Sequence, residues 1–184
     1  MRKLKLQVQM TVDGFIGGTH GEMDWLTFDW DDELKKTVAE ITESIDCIVL
    51  GRKLAQGFIP HWASHPDEPG AEIFNTTKKV VFTRTLDSSE WDNTVLAKGD
   101  LVEEITKLKQ RDGKDIIAYG GATFVSALIQ HGLIDEFHLF INPAAIGSGL
   151  AIFKELDRKQ DLVLGKATAF ACGIVVLRYV LKRA

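Results

Sequence analysis

Three short stretches of the chain join an uninterrupted apolar run to residues suited to holding an anion. Ile48-Val49-Leu50 leads into Gly51-Arg52-Lys53, Val80-Val81-Phe82 into Thr83-Arg84, and Ile116-Ile117-Ala118 into Tyr119-Gly120-Gly121-Ala122-Thr123. Apolar runs without alternation fit strands covered on both faces, as in a helix-flanked parallel sheet. A glycine followed by cations at a helix start brings free N–H groups, the helix dipole and positive side chains onto one anion, most simply a phosphate. Arginine adds bidentate phosphate recognition and a planar surface for stacking on adenine. The two glycines before Ala122 let the backbone approach a pyrophosphate closely. Neither G-x-G-x-x-G nor G-x-x-x-x-G-K-S/T is present, so the standard nucleotide fingerprints do not apply. Taken singly, each stretch also fits a tight turn with solvated side chains. In a parallel sheet, however, all three fall at strand carboxyl ends on one rim, where open α/β sheets bind ligands. Arginines in place of an acidic ribose binder suit an adenosine 2′-phosphate, and the combination points to NADPH.

Other chemistry has weaker support. His61 and His65 stand four apart, a spacing that places two imidazoles on one helical face for zinc. There is no H-E-x-x-H motif, prolines bracket the stretch and no third ligand is patterned nearby. The expectation is a surface loop near the active cleft, with no metal site. His131 is expected beside a helix C-terminus and His138 as a hydrogen-bonded structural residue within a strand. Asp29 to Glu33 lacks the spacing and glycine of a calcium loop. Ser126 has no G-x-S-x-G elbow, so serine hydrolysis is unsupported.

The elements that position these residues are legible from periodicity. Leu4, Leu6, Val8 and Met10 alternate with polar residues, which predicts a strand with one face more completely buried. Glycine-rich sequence follows from Gly14 to Gly21. Between Asp31 and Ser44, Leu34, Val38, Ile41 and Ile45 keep a helical period, with Asp29, Asp31 and Asp32 at the capping end. Asp100 and Glu103 open a second helix and Ala122 to His131 forms a third, stopped by Gly132. Phe137 to Ile141, Leu162 to Phe170 and Ile174 to Leu181 read as strands, the last two joined by Ala171-Cys172-Gly173. This pattern predicts a three-layer α/β fold, its sheet mixed but mostly parallel, with a C-terminal antiparallel hairpin.

Composition narrows the class. The 184 residues, 45% hydrophobic and 26% charged, fit a single globular domain over residues 1–184. A net charge of −4 argues against a nucleic-acid surface. The apolar runs are too short for a membrane span. Two isolated cysteines, with no secretory leader, suggest reduced thiols in a cytoplasmic protein. Long apolar C-terminal strands suggest a homodimer.

Five stretches also resemble a known family. VQMTVDGFIG (residues 8–17), VLGRK (49–53), VVFTR (80–84) and IIAYGGATFVSALI (116–129) occur in the order typical of dihydrofolate-reductase-like proteins. LIDEFHLFINPAAIGSGLAIF (133–153) is similar to the reductase domain of the bifunctional riboflavin-biosynthesis deaminase–reductase. The resemblance implies the dihydrofolate-reductase fold, bound NADPH and hydride transfer to a pterin- or pyrimidine-like heterocycle or a related carbonyl or imine. It places cofactor contacts at Gly17, Gly51, Arg52, Lys53, Thr83, Arg84, Gly120, Gly121, Ala122 and Thr123. The loop from Gly14 to Trp25 would cover the nicotinamide, with Trp25 lining the substrate pocket. It further implies a cis Gly120–Gly121 bond. Glu33 is the nearest match to the family's first-helix carboxylate; helical phase sets it at the edge of the buried stripe, where desolvation could raise its pKa. The favoured reading is an ordinary exposed acid at a helix N-terminus, held there by the dipole. Ala118-Tyr119 stands where riboflavin-pathway reductases carry a substrate-binding Glu, and Trp25-Leu26 lacks the flanking prolines. These departures leave open an NADP(H)-binding sensor or regulator without turnover.

Overall fold

A computed structural model describes residues 1–182. Strand β1 (Leu4–Thr11) is followed by α1 (Asp32–Glu43), β2 (Ile45–Gly51), α2 (Arg52–Ser64) and α3 (Ala71–Thr76). Next come β3 (Lys78–Phe82), β4 (Thr94–Ala97), α4 (Leu101–Gln110), β5 (Asp115–Ala118) and α5 (Ala122–Gln130). Strands β6 (Glu136–Asn142), β7 (Leu162–Ala169) and β8 (Val175–Leu181) follow. All strands join one sheet in the order β4-β3-β2-β5-β1-β6-β8-β7. From β4 to β6 neighbouring strands are parallel, while β8 runs antiparallel to β6 and β7 antiparallel to β8. Among the described residues no helix is long and apolar enough to cross a membrane.

The three layers follow from the two faces of the central strands. Cys47, Val49, Ile116 and Ala118 point to the side covered by α4 and α5, where Ile105, Leu108, Val125 and Leu128 are buried. Ile48, Leu50, Val81 and Ile117 point to the other side, against Leu34 and Ile41 of α1 and Ala55 and Ile59 of α2. Each Val, Leu or Ile among them, fully withdrawn from water, contributes ~1.5–3 kcal/mol. This two-sided covering is why β2, β3 and β5 read as solid apolar runs.

Strand β1 alternates in sequence but is covered on both faces: Lys5 and Gln7 are each only 8% exposed. On its polar face Lys5 and Gln9 make internal bonds, while Gln7 Oε1 is buried without a hydrogen-bond partner. Lys5 Nζ donates to Ser44 Oγ at 2.7 Å and pairs with Asp115 Oδ2 at 3.0 Å, and Gln9 Oε1 accepts from Asn142 Nδ2 at 2.8 Å.

The predicted helices and C-terminal strands form within a residue or two of their expected limits. The stretch around His61 does not form a loop: it is the last part of α2, which runs helically through Pro60. Proline removes one intrahelical bond, and tertiary packing compensates. Phe58 and Trp62, on either side of Pro60, both pack on Phe74 of α3 with ring centroids 5.2 and 4.4 Å apart. The Gly120–Gly121 bond is trans, as no cis peptide occurs among the described residues. The turn is made instead by positive φ at both glycines, 142° and 80°, a backbone region that only glycine enters without strain.

Candidate functional site

Register aligns the predicted strand ends. Gly51 lies opposite Phe82, and Val49 opposite Ala118, so β3, β2 and β5 finish side by side. The three anion-suited stretches therefore meet on one rim, as their placement at carboxyl ends of neighbouring parallel strands requires.

Every helix that follows a parallel strand begins near this rim, but the helices begin differently. At α1, Asp31 Oδ1 accepts from the Leu34 N–H, and Asp32 and Glu33 fill the first turn. At α4, Asp100 accepts from Val102 and Glu103, with Glu103 and Glu104 close by. Those ends are satisfied and acidic. Helices α2 and α5 start instead at Gly51 and Gly121, with no side-chain cap and no acid in the first turn. Their free N–H groups and dipoles are uncompensated by the protein.

The two uncapped ends are neighbours. A Cβ on Gly51 would lie 2.7 Å from Phe124 Cβ, and one on Gly121 3.5 Å from Leu54 Cβ. The glycines thus allow α2 and α5 to start against one another, beneath a Phe82–Phe124 ring contact at 5.2 Å. Gly51→Ala is expected to destabilise the fold by about 1–3 kcal/mol through overpacking. Urea denaturation checks this, and an unchanged midpoint would show that Phe124 yields freely.

Cations surround this pair of helix ends. Arg52 is half-buried and donates to Gln56 Oε1 at 3.1 Å. Lys53 and Arg84 are exposed. None of the three pairs with a carboxylate among the described residues. Thr83 is buried; its Oγ1 accepts from the N–H groups of Thr85 and Leu86 at 3.1 and 3.0 Å. It shapes the turn presenting Arg84 and keeps only its hydroxyl proton for another partner. Ala122 is half-buried and Thr123 exposed on the first turn of α5. Uncapped N–H donors, unpaired cations and glycine backbone together fit the phosphates of a dinucleotide.

The loop after β1 is strapped to the segment after β6. Val12 N donates to Ala144 O, Ile16 N to Leu150 O, and Leu150 N to Gly17 O, each at 2.8–2.9 Å. Gly149 passes so close that a Cβ there would lie 2.3 Å from Gly17 O. Asp13 Oδ2 accepts from Ile146 and Gly147 at 3.0 and 2.7 Å, and hydrogen bonding, chiefly from Thr11, lowers its pKa. Gly17 is buried and Trp25 half-buried, the indole N–H donating to Glu22 O at 3.2 Å. Further along, Asn142 is fully buried; its Oδ1 accepts from Thr27 N at 3.0 Å while its amide donates to Gln9. Asp13, Asn142 and Gly149 escaped sequence reasoning, although Asn142 and Gly149 stand in the INPAAIGSG stretch.

Glu33 takes the exposed setting favoured for an acid in a first helical turn and not the desolvated one a proton donor would need. Helical phase turns Leu34 fully inward and leaves Glu33 exposed. Tyr119 lies against Phe58 and Phe74 at 5.8 and 5.3 Å. Burial pushes its phenol pKa up, so it presents an aromatic wall and no charge. His138 is buried within β6 and bonded to Glu136 at 2.8 Å, a structural histidine as expected. Cys47 is buried, its thiol pKa raised by desolvation, and neither it nor Cys172 is in a disulfide.

A mostly parallel three-layer α/β sheet with an antiparallel β6-β8-β7 margin defines the dihydrofolate-reductase-like class. Within that class the chain belongs to the RibD C-terminal domain family, whose model matches residues 2–176. It is 35% identical over 187 residues to the uncharacterized protein YyaP of Bacillus subtilis, covering 97% of this chain and 94% of that one. Among solved structures, a Shewanella sp. PV-4 protein ascribed to riboflavin biosynthesis superposes with a TM-score of 0.77 at 21% identity, over the whole of both chains. A Thermotoga maritima diaminohydroxyphosphoribosylaminopyrimidine deaminase/5-amino-6-(5-phosphoribosylamino)uracil reductase gives 0.72 at 17% identity, covering 98% of this chain and 57% of the other. The family supports a reductase-like role, and the solved neighbours, at 21% and 17% identity, show the fold.

Proposed function

We propose that the chain binds NADPH along the β3-β2-β5 rim and reduces a small pterin- or pyrimidine-like heterocycle, or a related carbonyl or imine. The reading rests on one observation: α2 and α5 begin beside one another, uncapped and acid-free, among cations that pair with no carboxylate among the described residues. The N–H groups at Gly51–Lys53 and Gly121–Thr123 would hold the pyrophosphate, and Arg84, with Arg52 and Lys53, the 2′-phosphate. The strapped loop carrying Gly17 would exclude water, and Trp25 would line the substrate pocket. Bound in this way, the reduced nicotinamide supplies the hydride, while the protein provides orientation and a fixed electrostatic setting. The free thiols of Cys47 and Cys172 suit a reducing cytoplasm.

Stopped-flow oxidation of NADPH against panels of pterins and pyrimidines tests the activity. Turnover with any panel member supports a reductase. Saturable NADPH binding without oxidation would favour a nucleotide sensor, a reading supported by the absence of a desolvated carboxylate at Glu33. For the same reason Glu33→Gln is expected to change the hydride-transfer rate by less than about threefold, far below the 10²–10⁴-fold of general acid catalysis. A hundredfold fall would make Glu33 the proton donor.

We propose further that the chain forms a homodimer through its C-terminal strands. Edge strand β7 is exposed over most of its length, and Val163, Leu164 and Val180 stand in solvent, an arrangement that invites pairing. Sedimentation at micromolar concentration should give twice the 20.5 kDa chain mass; a monomer alone would refute it.

A further inference from the structure

The end of α2 remote from the rim carries a second group of side chains with defined chemistry. His61 and His65 sit on its last turn and its C-cap, and Glu68 follows in the turn towards α3. One ligand atom from each, two imidazole nitrogens and a carboxylate oxygen, lie within 4.8 Å of one another. We propose that these three residues form a binding site for a divalent transition-metal ion of the zinc class.

Local sequence builds the arrangement. A four-residue spacing brings the imidazoles onto one helical face, and their rings stack at 4.6 Å. Pro66 disfavours continued helix at His65, whose φ and ψ are −125° and 61°. The chain then folds back, with Glu68 N donating to His65 O at 3.2 Å. Three of the four prolines in the protein, Pro60, Pro66 and Pro69, lie in this stretch and limit its freedom in the absence of metal.

The hydrogen bonding favours coordination. His65 Nδ1 lies 2.8 Å from the His61 carbonyl and 3.0 Å from Ser64 Oγ. A carbonyl only accepts, so Nδ1 carries the proton and Nε2 presents its lone pair. Such an outer bond to a backbone carbonyl is how ligating histidines are oriented. His61 Nε2 lies 3.2 Å from Glu68 Oε2. Two ligands on a tetrahedral zinc with bonds of about 2.0–2.1 Å are roughly 3.4 Å apart, so the cation takes the place of the proton between them. Two imidazoles and one carboxylate select zinc-class ions over magnesium or calcium. All three side chains are exposed, which gives the ion an entry path and leaves a fourth position for water. At about 1.5 Å per residue, His61 is about 14 Å along the helix from Arg52. The ion would therefore tie the end of α2 to the turn before α3, apart from the rim.

Titration of the full chain with Zn²⁺ alone, followed by calorimetry and by Co²⁺ absorption, tests the site. The expected result is one ion per chain at micromolar concentration, Co²⁺ bands of four-coordinate intensity and a raised thermal midpoint. His65→Ala and Glu68→Gln should each weaken binding by at least about tenfold and leave NADPH affinity unchanged. Because both residues are exposed, the variants should fold, and an unchanged thermal midpoint of the metal-free variants verifies this. Binding only at millimolar metal, equal binding by the variants, or displacement of Zn²⁺ by Mg²⁺ would each overturn the proposal.

Discussion

Arg84→Ala is expected to weaken NADPH binding by about 1.5–3 kcal/mol, roughly 10- to 150-fold, the value of one charge-assisted hydrogen bond. NADH binding should change by less than about twofold, because only the 2′-phosphate distinguishes the two coenzymes. The basis is the position of Arg84 beyond β3, exposed and unpaired, on a turn fixed by the Thr83 hydroxyl. Fluorescence titration with both coenzymes checks it. Arg84→Lys should recover only part of the affinity, since an ammonium keeps the charge but loses the guanidinium fork. Equal weakening of NADPH and NADH would remove the 2′-phosphate from Arg84 while leaving the uncapped helix ends as the pyrophosphate site.

The largest expected effect on stability lies at the opposite end of the sheet. Glu136 is 4% exposed. One oxygen accepts from His138 Nε2 at 2.8 Å and Arg178 Nε at 3.0 Å; the other accepts from Arg178 Nη2 at 3.0 Å, with Lys3 Nζ at 3.7 Å. These partners, His138 first, hold its carboxyl well below the usual carboxylate range and raise the pKa of Arg178 in return. Glu136→Gln removes the charge at nearly constant shape and should cost about 2–4 kcal/mol at neutral pH. A carboxyl whose folded-state pKa is depressed stabilises fully above its unfolded value of about 4.3, and loses that contribution as pH falls towards the folded value. The gap between wild type and variant should therefore hold from pH 7 to about 5 and shrink below about 4. Urea midpoints across this range test it; a constant gap at pH 3 would assign the loss to packing alone.

The network around Glu136 also marks a limit of pattern reading. Lys5, Glu136 and His138 are polar residues in strands, and alternation alone assigns them to a less covered face. In the folded chain they are buried because their strands are central and because partners distant in sequence, Ser44, Asp115 and Arg178, satisfy them. The same holds at α2. Proline signals a break in a local reading, yet packing on Phe74 carries the helix past Pro60. The metal reading of His61 and His65 lacked a third ligand because Glu68 enters through a turn and not through helical spacing.

By itself, the sequence determined the layer order, the capped helices at Asp31 and Asp100, the parallel core strands and the motifs of the family. Periodicity, caps and glycine turns are local, and local sterics and solvation express them in the sequence itself. Tertiary structure decided which helix ends remain free for an anion, that the Gly120–Gly121 turn is trans with positive φ, and which buried polar groups find partners. Each of these depends on distances between residues far apart in the chain, and folding alone sets those distances.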